Sequence, residues 1–490
     1  MKINLRKRYQ SISAPVRTSV WFTVCNFLQR GTAFITVPIF TRLLTTEEYG
    51  ICNIYFAWFE IFLIFTSLKI PYEGLNNGLI RFEKDKDGYT SSVMGLIMIM
   101  TLVVGGIYAL FHQWVDHVTG LNNLIMGLMF IQLTFNPPLM LWTNRERFDF
   151  HYRWPAIVTL ISTILNPVVS VIAVLSTDYR AEARIIASVS VQTFFGVIFT
   201  FVLLGRGKKF FNKVYWLFAL RFNLPLIFYY ISQSILNQSD RIMINYYEGE
   251  GKAAVYSVAY SAAAIMQLLV SAVNSSFNPW MYRKLKSGQW NGIKDAAAVL
   301  CLLVAGATLL ISAFAPDLVR IMATGEYSQA IWVIPPVSAS VFFIFIYMMF
   351  ANVEMYFGEN KGILVISIIC SMTNLILNAL CIPVWGYMAA GWTTLFCYLL
   401  LAALHYILMK RACRWNQVKE KIFPEKTLLM LSLCVLMLSC MMLLMYYLGY
   451  LRYVILAVEA VALFCFRRKL LNVLKQIRKG ESQNGDAYPK

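Results

Sequence analysis

The sequence predicts an all-α polytopic membrane protein, and three observations carry that reading: its composition, the spacing of its apolar runs and the placement of its basic residues. The 490 residues are 59% hydrophobic and only 14% charged, with a mean hydropathy of +0.60. Soluble domains carry about 25% charged residues, so an ordinary soluble enzyme is excluded. Disorder is excluded by the 15% aromatic content, far above that of chains unable to build a core. No short period supports a coiled coil or collagen.

A spanning helix needs about 20 apolar residues. Windows of that kind, bounded by charged or Gly/Pro breaks, give fourteen candidates. The first two, 17–40 and 50–69, are separated by Arg42 and Glu47-Glu48. Next come 91–113, after the charged stretch 81–87, and 122–143, which stops before Arg145. Windows 155–176 and 184–205 flank Asp178 and Arg180. The second half supplies 222–241, 253–276, 295–315, 329–353, 362–383 and 387–409. A final pair, 427–449 and 451–466, follows the basic stretch 410–426.

Basic residues orient these spans. With the N-terminus in the cytoplasm, 35 of the 43 Lys and Arg residues fall in inner segments. Seven fall outside (Arg42, Arg180, Arg184, Arg241, Lys252, Arg320 and Arg452), and Arg30 lies within the first window. That asymmetry follows the positive-inside rule and places both termini in the cytoplasm. Most of the net charge of +18 is thus a topology signal, and nucleic acid is not an expected partner. The first apolar run, Val16 to Phe40, is too long for a cleavable signal peptide and contains Arg30. The ten cysteines sit mostly within apolar runs without a CxxC pair and read as small core residues. No metal site is expected of the scattered histidines His112, His117, His151 and His405. Outer loops are short, leaving no room for a soluble catalytic domain, so the chain is read as a non-enzyme. Nor is there a GxxxxGK[ST] motif for nucleotide-driven transport.

Helix five contains Leu165-Asn166-Pro167 and helix eleven contains Leu377-Asn378-Ala379, a weak internal repeat that agrees with a count of six, six and two. Three longer stretches stand out: Pro38 to Gly50 (PIFTRLLTTEEYG), the region from Leu224-Pro225 through Asn237-Gln238-Ser239-Asp240 to Asn278-Pro279-Trp280, and Asn374 to Gly391. In order and spacing they resemble the polysaccharide transporter family of the MOP flippase superfamily, which includes Wzx-type O-antigen and capsule-repeat flippases. The resemblance covers roughly residues 16–410. It implies two six-helix lobes around a central cavity, with residues 1–210 and 211–415 as the lobes. Residues 416–490 would add two helices and a basic cytoplasmic tail. The implied activity is transfer of an undecaprenyl-diphosphate-linked oligosaccharide across the cytoplasmic membrane by alternating access. Membrane lipids and polysaccharide polymerase or assembly proteins are the implied partners.

Polar residues within spans need a reason, because hydrocarbon cannot solvate them. On helix one, Asn26 and Arg30 share a face, and on helix two Glu60 lies near mid-membrane. They read either as an Arg30–Glu60 ion pair locking two helices or as a cavity cation for the substrate diphosphate, held by Glu60. Helix seven carries Gln233, Asn237 and Asp240 on one stripe. Helix eight carries Tyr260, Gln267 and Asn274, and helix eleven Ser367, Ser371, Asn374 and Asn378. Three such stripes favour a wet cavity over isolated interhelical hydrogen bonds. Asp240, Asn374, Asn378 and Thr394 supply oxygen ligands for a coupling cation, Na+ or H+. The likeness to lipid II flippases implies such a site on helices seven, eleven and twelve, with Asn378 standing where a carboxylate would bind more tightly. The alternative of Asp240 pairing with Arg241 or capping its helix stays open. Two related readings also stay open: a MATE-type multidrug exporter, which would favour cavity carboxylates, and a lipid II or teichoic-type precursor flippase. An integral-membrane enzyme would need clustered His, Asp or Arg in an outer loop.

Overall fold

An apolar window in hydrocarbon must satisfy its own backbone, and only a helix does so within one segment. In a computed structural model the chain follows that rule. The described residues are 14–418, 420–449 and scattered positions between 452 and 473, and they contain no strand. The long helices are α1 (Ala14–Leu43), α2 (Thr46–Ser67), α3 (Lys86–Thr119), α4 (Asn123–Phe148), α5 (Arg153–Leu175), α6 (Arg180–Gly207) and α7 (Ile227–Glu248). They continue with α8 (Glu250–Lys286), α9 (Trp290–Ala313), α10 (Ile334–Tyr356), α11 (Asn360–Trp385), α12 (Met388–Trp415) and α13 (Glu425–Tyr447). Among the described residues twelve helices, α2 to α13, are long and apolar enough to cross a membrane. The first expected window lies within α1, and the fourteenth, 451–466, falls largely outside the described residues. Several helices outrun their apolar windows, α8 by ten residues at its C-terminal end, because helical hydrogen bonding continues into polar sequence beyond the hydrocarbon.

Local chemistry sets the ends. Thr45 accepts the Glu48 amide while the Glu48 carboxylate accepts the Thr45 amide, a capping box that starts α2. Asp85 and Asn122 start α3 and α4 with single side-chain caps, accepting the Gly88 and Ile125 amides. Pro335 and Pro336 occupy the first turn of α10, where no amide donor is missed. Pro38, Pro137, Pro138, Pro167, Pro279 and Pro383 lie inside helices.

The chain forms two compact units, residues 1–254 and 255–490. In the first, the link between α2 and α3 is irregular. Leu68 and Lys69 adopt left-handed φ values of 49° and 50°, followed by a wide turn over Ile70–Gly74 and a short helix Leu75–Arg81. Burial holds it there. Leu68, Ile70, Leu75 and Leu79 pack with Tyr89, Trp142, Phe199 and Tyr215 in one apolar core, and the Trp142 and Phe199 rings stack at 4.1 Å. At Gly196 of α6 a Cβ would stand 1.9 Å from the Phe135 carbonyl of α4, so only glycine allows this approach. In the second unit α10 packs extensively on α12 and also on α9 and α13.

Candidate functional site

Four helices of the first unit turn polar stripes toward one another. On α1 the stripe is Cys25, Gln29, Thr32, Thr36; on α4 it is Asn136, Thr143, Arg147. Helix α5 adds Thr159, Thr163, Asn166, Ser170, and α6 adds Arg184, Ser188, Gln192. Each recurs at three, four or seven residues, one face of a helix. Together they line a cavity of about 990 Å³. A second cavity of about 440 Å³, bordered by Asn53, Glu60, Gln238 and Arg241, shares Phe56, Tyr72, Asn136, Met140 and Gln192 with the first. A third, of about 1100 Å³, shares Tyr72, Asn144 and Arg147. We refer to the three as one chamber.

The wall between the first two is a chain of amides. Tyr55 Oη donates to Gln132 Oε1 at 2.5 Å, and Gln132 Nε2 donates to Gln192 Oε1 at 2.7 Å. Asn136 Nδ2 donates to the same Gln192 oxygen at 2.8 Å. Across α5 and α6, Asn166 Nδ2 donates to Ser188 Oγ at 3.0 Å. Asn144 Nδ2 donates to the Pro71 carbonyl at 2.7 Å, tying α4 to the irregular link. Non-helical backbone is stable at such a place because it borders a polar cavity.

Cations punctuate this neutral lining. The Arg184 guanidinium lies 4.0 Å from the Phe40 ring centroid and 5.1 Å from that of Tyr49. Its Nη1 is buried without a hydrogen-bond partner among the described residues. Arg147 borders two of the three cavities, and Arg241 Nη1 donates to Gln238 Oε1 at 2.6 Å. Lys69 Nζ reaches Glu60 Oε2 at 3.3 Å and sits 5.3 Å from the Tyr72 ring. At the end of α4, Arg145 pairs with Asp87 at 3.1 Å and with Asp149, which Lys86 also meets at 3.0 Å. Burial raises the Asp149 carboxyl, but the Arg145 and Lys86 hydrogen bonds outweigh it and hold the group below its ordinary value. Bidentate cations suit phosphate, and amides and hydroxyls suit sugar hydroxyls.

Among the residues expected from sequence, Glu60 borders the second cavity. Asn26 and Arg30 lie on α1, but their side chains are outside the described residues, and the described ion pair of Glu60 is with Lys69. On α7, Asn237 Nδ2 donates back to the Gln233 carbonyl at 2.7 Å, and Asp240 is buried in the first unit. In the second unit Gln267 Nε2 donates to Tyr260 Oη at 3.4 Å, while Asn274 Nδ2 contacts Met348 Sδ at 3.2 Å. Asn352 Nδ2 donates to Asn278 Oδ1 at 2.9 Å, so part of the α8 stripe faces α10. Asn378 Nδ2 donates to Asn374 Oδ1 at 3.3 Å, and Asn378 Oδ1 accepts from Thr393, the residue beside the buried Thr394. The sequence reading passed over Arg184, Gln132, Asn136 and Gln192. Their signal was present: Gln132 and Asn136 are i, i+4, and Arg184, Ser188 and Gln192 are i, i+4, i+8. Arg184 had been counted as an outer-end charge.

A family model described as "Polysaccharide biosynthesis protein" matches residues 16–284, and a MatE model matches residues 225–380. The chain is 22% identical over 363 residues to an uncharacterized membrane protein of Haemophilus influenzae, covering 70% of this chain and 84% of that one. Among solved structures, the lipid II flippase MurJ in an inward closed conformation superposes with a TM-score of 0.68. It is 15% identical, and the match covers 92% of this chain and 99% of that one. An inward-facing multidrug resistance MATE family transporter of the MOP superfamily superposes at 0.57 with 13% identity, over 84% of this chain and 100% of the other. At these identities the likeness to solved structures is one of fold.

Proposed function

The chain belongs to the polysaccharide biosynthesis protein family and has the fold of MOP-superfamily transporters, and from that premise we propose that it flips an undecaprenyl-diphosphate-linked oligosaccharide across the cytoplasmic membrane. The observation that carries this reading is the composition of the chamber in the first unit. Neutral amides and hydroxyls on α1, α4, α5 and α6 offer donors and acceptors to sugar hydroxyls. Arg184 offers a buried Nη1 with no hydrogen-bond partner among the described residues, which suits an anionic oxygen. Sugars bind the lining loosely and in many registers, as a carrier of repeat units requires, while the phosphate fixes one end. The lipid tail stays in the bilayer.

A multidrug exporter for cations would favour carboxylates in this chamber. Its described walls carry Arg184, Arg147, Arg241 and Lys86, while the carboxylate of Glu60 is engaged by Lys69 and that of Asp149 by Lys86 and Arg145, so an anionic cargo is the better fit. For a coupling Na+ or H+ we propose Asp240 of the first unit and, in the second, Asn374, Asn378 and Thr394 as oxygen donors.

Deletion of the protein tests the reading. We expect intact lipid-linked repeat units to be retained on the cytoplasmic leaflet. Normal glycan export in the deletion strain, with no such retention, overturns it.

A further inference from the structure

Glu354 of α10 and His405 of α12 form a buried couple in the second unit. His405 Nδ1 and Glu354 Oε2 are 2.8 Å apart, and the side chains are 1% and 0% exposed. Glu354 Oε1 is buried without a hydrogen-bond partner among the described residues. The imidazole stacks on Tyr347 at 5.5 Å and 26°. Nothing in the chamber chemistry uses this couple, and two ionisable groups rarely share a dry helix contact without function.

We propose that Glu354 and His405 together form a proton-binding site of the second unit. With a carboxylate and a neutral imidazole, Nδ1–H donates to Oε2 and the couple carries a net charge of −1. Uptake of one proton brings it to zero, either as imidazolium with carboxylate or as imidazole with carboxylic acid. In water a proton prefers histidine over glutamate by about 2 pKa units, a roughly hundredfold bias. Burial disfavours the charge-separated form relative to the fully neutral one. The unbonded Oε1 gives the carboxyl form a second oxygen on which to carry its proton. A net −1 in this interior is costly, so the closed contact holds the proton. Separating α10 from α12 admits water and lets the proton leave.

Cys413 on α12 and Glu359 just before α11 are the other ionisable groups acting on Glu354. On the elements packed against α10 and α12 the charged residues are Lys294 and Asp295 on α9, Lys361 on α11, Glu425 and Lys426 on α13, Glu326 in the turn 325–332, and on α8 Glu250 and Lys252 at its start and Arg283, Lys284 and Lys286 in its last turn. Glu425 is engaged by Lys410, Lys421 and Tyr406.

The test uses the full chain in lipid nanodiscs, titrated from about pH 5 to about pH 9, the range in which histidine titrates. Infrared difference spectra follow the carboxylic-acid carbonyl band, and nitrogen NMR of labelled histidine follows His405. We expect a pH-dependent carboxyl band that Glu354→Gln removes, and nitrogen signals of His405 that differ between wild type and Glu354→Gln. The double variant Glu354→Gln with His405→Gln retains an amide pair at the contact and should fold without either signal. A couple that keeps one protonation state across the range, or a band that survives Glu354→Gln, overturns the proposal. In flipping assays, which rest also on the proposed substrate, the wild type should change rate severalfold between about pH 6 and about pH 8, and the double variant should not. Absence of flipping at every pH beside an intact titration would count against the substrate and for the proton site.

Discussion

Arg184 lies with its guanidinium carbon 4.0 Å from the centroid of the Phe40 ring, joining α6 to α1 at the wall of the chamber. Stacking and a hydrogen bond with Cys52 place the charge, and Nη1 is buried without a hydrogen-bond partner among the described residues. The arrangement holds a cation ready for an anionic oxygen.

Arg184→Gln should therefore lower flipping in reconstituted vesicles by about tenfold to a hundredfold, the size of a lost charged hydrogen bond of about 1.5–3 kcal/mol. Arg184→Lys should recover only part, because lysine neither stacks as a plane nor forks. Protein yield should stay near normal. A wild-type rate in Arg184→Gln refutes the assignment.

Gln192 accepts from both Gln132 and Asn136. Gln192→Leu strands two donors and should cost about 1–3 kcal/mol of stability, visible as a lower thermal midpoint in detergent. Gln192→Glu keeps the acceptor and adds a negative charge. That variant should remain as stable as wild type yet transport an anionic substrate more slowly. Equal transport by the two proteins would argue that the amide wall does not meet the cargo.

Asp149 is held below its ordinary value in the folded protein by Arg145 and Lys86, against the opposing effect of burial. A depressed carboxyl stabilises the fold above its unfolded value, and that contribution is lost as pH falls through the folded one. Wild type should thus lose thermal stability on acidification from about pH 5 to about pH 3 more steeply than Asp149→Asn. Parallel profiles for the two proteins would remove the ion cluster from the account.

Asp240 is buried on α7, and Asn374 and Asn378 are hydrogen-bonded on α11. If Asp240 binds a coupling cation, imposed sodium or proton gradients should speed wild-type flipping, and Asp240→Asn should respond to neither. Equal rates with and without gradients would leave flipping driven by consumption of product outside.

Orientation has its own check. A cysteine placed at Lys208 should react only with reagent on the cytoplasmic side, and those at Glu47 and Gly251 only from outside. Opposite labelling would invert the assigned topology.

The spans were legible in the sequence because each must close its own backbone hydrogen bonds in hydrocarbon, so twenty apolar residues between charged breaks read as a helix whatever its neighbours are. Helix-end chemistry is equally local: Thr45 and Glu48 cap α2 within four residues. Stripes such as Gln233, Asn237 and Asp240 were visible as well, yet a stripe states only that a face avoids lipid. Whether it meets a cavity or another helix depends on packing. Packing set Asn274 against Met348 and drew the α1, α4, α5 and α6 stripes around the chamber. Arg184 shows the same division. Hydropathy assigned its charge to a helix end, and only the approach of α1 put Phe40 beneath it. Glu354 and His405, separated by 51 residues, have no spacing that joins them. The contact of α10 with α12 alone makes them a pair, since burial in a shared interior, not position along the chain, couples two ionisable groups.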